Sequence, residues 1–478
     1  MGSTTLTFLG AAGTVTGSKH LLTLHAGTSD QRRILVDAGL FQGTKDLRRM
    51  NWADFPVAPA TIDTILVTHA HLDHVGYLPR LVKQGFNGRI LATDATIRLA
   101  EIVLRDSAYL QERDATYAEA HGYSKHRHPE PLYRVDDVEK TLPLFRAVNF
   151  DMDTDLGDGV RARWVRAGHI LGAASIHVST PDGSVLFSGD LGRPEHPVLR
   201  RRDTPPGADL VLVESTYGDR EHADPEDRAH EVFAAAIRRT AERGGSILVP
   251  AFAVDRTEVV LTAIADMQRA GRIPRLPIYV DSPMALASLR VYRSPVFAPE
   301  LREDVAGLRL GDLDLHELVT VDESRTLNDP HRPCIIISAS GMATGGRVLH
   351  HLEHMLPDER HCVVLTGYQS VGTRGRALAE GATQLKMHGA YVPVMAEVVR
   401  DEEFSVHADG SELVDWVGAL DPSPLEVFCV HGEPDSAAAL AARLGEQLGV
   451  VAVVPRHRET VRVGGSALRA ARKARPHR

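Results

Sequence analysis

Between His69 and His74 the chain places three imidazoles and one carboxylate, His69, His71, Asp73 and His74, in the run THAHLDHVG. Side chains two apart on an extended segment point the same way, so His69 and His71 share one side. A turn into a following helix then aims Asp73 and His74 at a neighbouring point. Imidazole nitrogen with carboxylate oxygen suits zinc, or manganese, better than magnesium. A pair of ions needs about seven or eight ligands, so this cluster must be completed from elsewhere. The candidates are His169 in RAGHILG, Asp190 in LFSGDLG and His431 in FCVHGE, each placed after a strand-like run and before glycine or a tight turn.

The elements that must bring these residues together alternate between apolar strands and amphipathic helices, the pattern of an α/β protein. RILVDAGL and TILVTHAH read as buried strands, and ATIRLAEIVLRDSAYLQERDA as a long helix. Between residues 159 and 190 the runs are short and alternating, with Pro181, Asp182 and Gly183 marking a hairpin turn. After the Pro- and Gly-rich DTPPGADL come repeated helix and strand units, which predict a doubly wound parallel domain. From Met387 onward VMAEVV, FSVHAD and EVFCVHGE bring strands and metal-type histidines back, as though the first domain resumes. The expected organisation is a first part at 1–204, an inserted domain at 205–386, and a second part at 387–478 that ends in a basic tail.

Composition narrows the classes. A chain of 478 residues is long enough for two cores, and 43% apolar with 24% charged residues describes a folded chain. A formal charge of −9 argues against coating nucleic acid by bulk attraction, although a groove can still be locally basic. No apolar run approaches the roughly 18 residues needed to span a bilayer, and MGSTTLTFLG lacks the basic start and apolar stretch of a secretory signal. A cytoplasmic address is the expectation. Cys334, Cys362 and Cys429 sit in apolar runs without CxxC spacing and read as core residues. The tail RAARKARPHR reads as solvated, with a nucleic-acid contact the alternative, and the segment 121–137 is left open between a loop and a partner surface.

HAHLDH, with Asp37 in ILVDAG, His169 in AGHILG and Asp190 in SGDLGR, resembles the metallo-β-lactamase superfamily in all four of its motifs and in their order. Glu214 in VESTYGDR, His407 in FSVHAD and His431 in VHGEP are similar to the three further motifs of the β-CASP nucleases. That family includes the cleavage and polyadenylation endonuclease subunit and its bacterial and archaeal RNA-processing relatives. The resemblance runs from about residue 5 to about residue 455. It implies an αββα sandwich with an inserted doubly wound α/β domain. It also implies two zinc ions, manganese being the alternative: one held by His69, His71 and His169, the other by Asp73, His74 and His431, with Asp190 bridging. Asp37 would orient the cluster from behind.

Two adjacent cations share a water, lower its pKa and neutralise charge on a phosphodiester, so a bridging hydroxide is the expected nucleophile. The leaving ribose oxygen then needs a proton, which His407 would donate while Glu214 keeps it charged and oriented. ISASGMATGGRVLHHL puts Gly341, Gly345, Gly346 and Arg347 between a strand and a helix and resembles the family's GMxxGGR segment, a candidate phosphate cradle. Arg374 and Arg376 in TGYQSVGTRGR are further substrate candidates. The expected activity is hydrolysis of single-stranded RNA, and a homodimer is left open. Three rivals are weighed. DNA-acting members of the family carry Val where this chain has His431. A small-molecule hydrolase would lack the inserted domain, and an inactive scaffold would lack ligands that are all present here.

Overall fold

Strands with at least one apolar face build two seven-stranded sheets, and the faces the sheets turn to each other are packed with apolar side chains. In a computed structural model, residues 3–121, 128–223, 230–305, 310–330 and 332–464 are described. The first sheet runs in the order Thr460–Arg462, Thr5–Phe8, His20–Leu24, Arg32–Val36, Thr64–Leu66, Arg89–Thr93 and Phe145–Val148. The second runs Val451–Val453, Glu426–Val430, Leu210–Glu214, Ser184–Phe187, Ala174–Ser179, Val160–Arg166 and Asp153–Gly157. Alternate residues divide the work, as a pleated strand requires. Ile34, Val36 and Leu66 pack with Trp164, Ile176, Phe187, Leu212 and Phe428 between the sheets. Leu35, Ile65 and Ile90 face the outer helices instead. The Pro181–Gly183 turn joins Ala174–Ser179 to Ser184–Phe187 as an antiparallel hairpin, as its sequence predicts.

The inserted domain holds a wholly parallel six-stranded sheet, ordered Leu315–Glu317, Ile278–Val280, Ile335–Ser338, Ile247–Pro250, Cys362–Leu365 and Glu397–Arg400. Its strands are covered on both sides, the usual condition of a parallel sheet. Ile247, Val249, Ile335 and Ile337 pack with Phe233, Ile237, Val260 and Ile264. Leu248, Ile336 and Val363 pack with Val348, Leu352 and Met355 on the other face. This is the doubly wound arrangement the sequence predicts.

Strand pairing shifts both joins. Leu210–Glu214, assigned from sequence to the inserted domain, is fully buried and lies parallel between Ser184–Phe187 and Glu426–Val430 in the sandwich. Glu397–Arg400, assigned to the resumed first domain, pairs parallel with Cys362–Leu365 in the inserted sheet. Both are short apolar runs that read alike in either sheet, and only the pairing of Leu210–Glu214 with Glu426–Val430 reaches far along the chain.

The three cysteines are buried and free. Of the segment left open at 121–137, residues 122–127 lie outside the described residues, as does the basic tail. The remainder packs on the helix Asp94–His121: Leu132 and Tyr133 are buried, and the Tyr133 hydroxyl meets Ser107 Oγ at 2.8 Å. Among the described residues no helix is long and apolar enough to cross a membrane.

Candidate metal centre

The carboxyl ends of five strands converge, the place where open α/β sheets gather ligands. Asp37 follows Arg32–Val36, His69 follows Thr64–Leu66, Asp190 follows Ser184–Phe187, Glu214 closes Leu210–Glu214, and His431 follows Glu426–Val430. Asp37 (φ 58°) and His431 (φ 52°) turn sharply there in the left-handed region, which side chains other than glycine rarely adopt. The loops are packed backbone to backbone. A Cβ at Gly39 would lie 1.5 Å from the Asp73 carbonyl oxygen, and one at Gly192 would lie 1.8 Å from that of Gly168. Only glycine fits either position.

The side chains gather into two donor sets. His69 Nε2 and His169 Nε2 lie 3.1 and 3.3 Å from His71 Nδ1, and 3.5 and 3.6 Å from Asp190 Oδ2. His74 Nε2 lies 3.2 Å from His431 Nε2 and 3.4 Å from Asp190 Oδ1, and His431 Nε2 lies 3.5 Å from Asp73 Oδ2. Donors about 2.0–2.1 Å from a tetrahedral ion stand about 3.3 Å from one another, so these spacings are those of a coordination shell. Each Asp190 oxygen faces one set. Asp190 Oδ1 is buried without a hydrogen-bond partner, and each set is a group able to hold a metal ion.

Proton positions agree. Asp37 accepts from the Thr68 N–H and the Thr68 hydroxyl, both at 2.8 Å, and lies 2.7 Å from His74 Nδ1. A carboxylate only accepts, so His74 Nδ1 carries a proton; burial disfavours a second one, but Asp190 and Asp37 outweigh burial and raise the pKa, so an ion at the centre would displace the proton on Nε2. The Thr68 hydroxyl donates its hydrogen bond to Asp37, so its oxygen accepts from His69 Nδ1 at 3.1 Å, which leaves His69 Nε2 free to ligate. Thr68 thus orients two ligands, a role that its place beside His69 in the motif does not advertise. Burial, then nearby imidazoles, keeps His69 and His169 well below the ordinary histidine pKa, and burial takes His71 down to about 4. The neutral form is the one that ligates.

Beside this centre, His407 Nδ1 sits 3.2 Å from each oxygen of Glu214, and its ring lies 4.4 Å from that of His169. Glu214 is buried and accepts from the Leu191 N–H at 2.7 Å. Arg193 N–H donates to the Val406 carbonyl and Ala408 N–H to that of Leu191, so the chain after Asp190 pairs directly with the chain around His407. Burial disfavours a charged His407, yet Glu214 outweighs it and the pKa is raised.

The centre opens into a cavity of about 2000 Å³ between the two domains. Gly345, Gly346, Arg347 and Arg374 all line it, away from the sandwich and across the cleft. Arg347 is already engaged: Nη1 holds Asp281 Oδ1 at 2.5 Å and Nη2 the Val319 carbonyl at 2.6 Å. Arg374 bonds the Lys386 carbonyl at 2.9 Å, and Arg376 pairs with Glu380 at 2.6 Å. Sequence reading also passes over a set of contacts from the inserted domain. Tyr292 Oη accepts from the Leu171 N–H at 3.1 Å and Glu300 Oε2 from the Gly172 N–H at 3.0 Å, holding the loop that carries His169.

Comparison with known proteins agrees with this arrangement. The metallo-beta-lactamase superfamily model matches residues 27–251, the Beta-Casp domain model 257–378, and the model of the Zn-dependent metallo-hydrolase RNA specificity domain 391–455. The chain is a member of the β-CASP family within the metallo-β-lactamase superfamily. It is 37% identical to Ribonuclease TTHA0252 of Thermus thermophilus over 91% of this chain and 94% of that one. It is 29% identical to the RNase J-like protein of Methanocaldococcus jannaschii, covering 88% and 92%. With transcription termination factor FttA of Pyrococcus abyssi it shares 30% identity, over 84% of this chain and 62% of the other. A crystal structure of a protein of unknown function from Enterococcus faecalis V583 has the same fold, with a TM-score of 0.51 and 14% identity over 96% of this chain and all of that one.

Proposed function

We propose that this chain is a ribonuclease that hydrolyses phosphodiester bonds of single-stranded RNA with two zinc ions, manganese being the alternative. One observation carries the reading: Asp190 divides its two oxygens between two donor sets, with the His407 imidazole held against Glu214 alongside. His69, His71 and His169 would hold one ion and Asp73, His74 and His431 the other. Bound there, the pair supplies a hydroxide nucleophile at neutral pH and offsets the charge that develops on the phosphate.

The chain's own residues do the rest. Asp37 and Thr68 fix the tautomers of His74 and His69, so neither ligand has to reorganise. His407 faces the cavity with its Nδ1–H held by Glu214 and gives the proton on Nε2 to the leaving ribose oxygen. The cavity walls hold the strand, and Gly345 and Gly346, which open the turn before the helix Val348–Met355, leave backbone N–H groups accessible there. The names of the relatives support RNA over DNA, as does His431 at a ligand position.

The test separates chemistry from metal binding. His407→Ala is expected to keep its metal content and its affinity for end-labelled single-stranded RNA while losing about 10²- to 10⁴-fold in rate. A substrate with a sulfur leaving group, which needs no proton, should recover much of that loss. Loss of metal in the variant, or no rescue by sulfur, would overturn the role. Equal cleavage of single-stranded DNA of the same sequence would overturn the substrate.

A further inference from the structure

We propose that His350, Glu353 and His388 form a separate divalent-metal site, of the zinc class, on the wall of the cleft. His350 and Glu353 are three apart on the helix Val348–Met355, which places them on one face. His388 arrives from a different element. It occupies the two-residue turn between the paired strands Gln384–Met387 and Ala390–Pro393, with His388 at φ 46° and Gly389 at φ 86°. Such turns favour Asn-Gly, because both positions are left-handed. Here an imidazole takes the position where asparagine would be easier, and it is delivered to the helix.

The three side chains meet. His388 Nδ1 lies 2.9 Å from Glu353 Oε2, the His350 and His388 rings are 4.6 Å apart, and one donor atom from each of the three lies within 4.8 Å of the others. The ring spacing is close to the 4.9, 5.0 and 5.0 Å of His69–His71, His71–His169 and His74–His431 in the main centre, while the rings here stack at 24° where those stand at 80°, 79° and 42°. A His388–Glu353 ion pair accounts for two of these groups and leaves His350 unexplained, since two stacked imidazoles repel when both are charged.

Two nitrogens and one carboxylate oxygen select zinc or a similar ion over magnesium or calcium. Three protein ligands leave one position open, and all three side chains line the cavity, so that position can be reached from the cleft. The ion would clip the hairpin to the helix that follows the Gly345–Gly346 turn, next to where Arg374 already holds the hairpin at Lys386.

The experiment is metal counting on the full chain. Wild type, His388→Asn and Glu353→Gln are dialysed against micromolar free zinc and analysed for bound metal, and each is titrated with Co²⁺ by visible absorption. Asparagine keeps the left-handed turn, so the fold should survive, which circular dichroism checks. Each variant is expected to hold one equivalent less than wild type and to lose the weaker phase of the Co²⁺ titration, while Asp190→Ala keeps that phase. Equal metal content and superimposable titrations in wild type and His388→Asn would overturn the site. Because Asp190→Ala reads the main centre separately, failure of one assignment does not imply failure of the other.

Discussion

Two groups of imidazoles, one of them reaching the cavity through His71, His169 and His431 and the other through His350 and His388, are built in opposite ways. On the floor, His69, His74, His169 and His431 are buried among strand ends, and Thr68 and Asp37 orient His69 and His74 from behind. On the wall, His350 and His388 stand on a helix face and a hairpin tip, with His388 29% exposed and one carboxylate between them. The floor residues are fixed before any ion arrives, so little ordering remains to oppose binding. The wall residues keep rotamer freedom that binding must remove, at a cost of about 0.5–1.5 kcal/mol for each ordered side chain. Pre-organisation, more than the number of ligands, separates a centre suited to chemistry from a clip suited to adjustment.

The most severe way to break the contrast is Asp190→Ala. One carboxylate serves both donor sets, so its removal should lower metal content at both and reduce turnover by more than the about 10²- to 10⁴-fold expected of His407→Ala. The wall site should not respond. Elemental analysis and RNA cleavage read the outcome, and full metal content with normal turnover would show that Asp190 does not bridge.

How much of this is legible in the sequence depends on the range of the signal. His69 to His74 lie within six residues, so their chemistry can be read without a fold. Asp37, His169, Asp190, Glu214 and His431 are legible because each ends or follows a strand in a recognisable motif, whereas His407 follows the 3-10 turn Glu402–Phe404 and is legible from its motif alone. The joins between domains are not legible locally, because Leu210–Glu214, besides lying next to Ser184–Phe187, pairs with Glu426–Val430 more than 200 residues away. The hold that Tyr292 and Glu300 exert on the His169 loop was invisible for the same reason: they bond backbone N–H groups, which have no sequence signature. Likewise nothing in VLHHLEHM and KMHGAY says that His350 and His388 meet.

A smaller effect sharpens the floor itself. Burial opposes the charged form of His407 and Glu214 overcomes it, so the folded pKa lies above the ordinary value. A general acid works only while protonated. Activity that depends on His407 is therefore retained below this raised pKa and lost as pH rises through it. In Glu214→Gln the carboxylate charge is gone and burial dominates, so the alkaline limb of the kcat profile should move to lower pH, with metal content unchanged. A limb that stays in place would remove Glu214 from the proton's environment.

The mildest expected effect on turnover, at Arg347, decides what the wall is for. Its guanidinium was read from sequence as a phosphate contact, but it spends Nη1 on Asp281 and Nη2 on the Val319 carbonyl. Asp281 is buried and also receives Ser324 Oγ at 2.5 Å and meets His351 Nε2 at 2.6 Å, so it stays partly satisfied when the arginine is removed. Arg347→Gln should therefore destabilise the fold by about 1–3 kcal/mol, the cost of leaving one acceptor of a buried group short of a donor. It should change RNA affinity by no more than a few-fold. Chemical denaturation and RNA binding across a salt series separate the two roles. A brace leaves the slope of log affinity against log salt unchanged, whereas a phosphate contact lowers it by about one per charge removed. A flattened slope with unchanged stability would return Arg347 to the substrate, and the Gly345–Gly346 turn would then have a cation beside it.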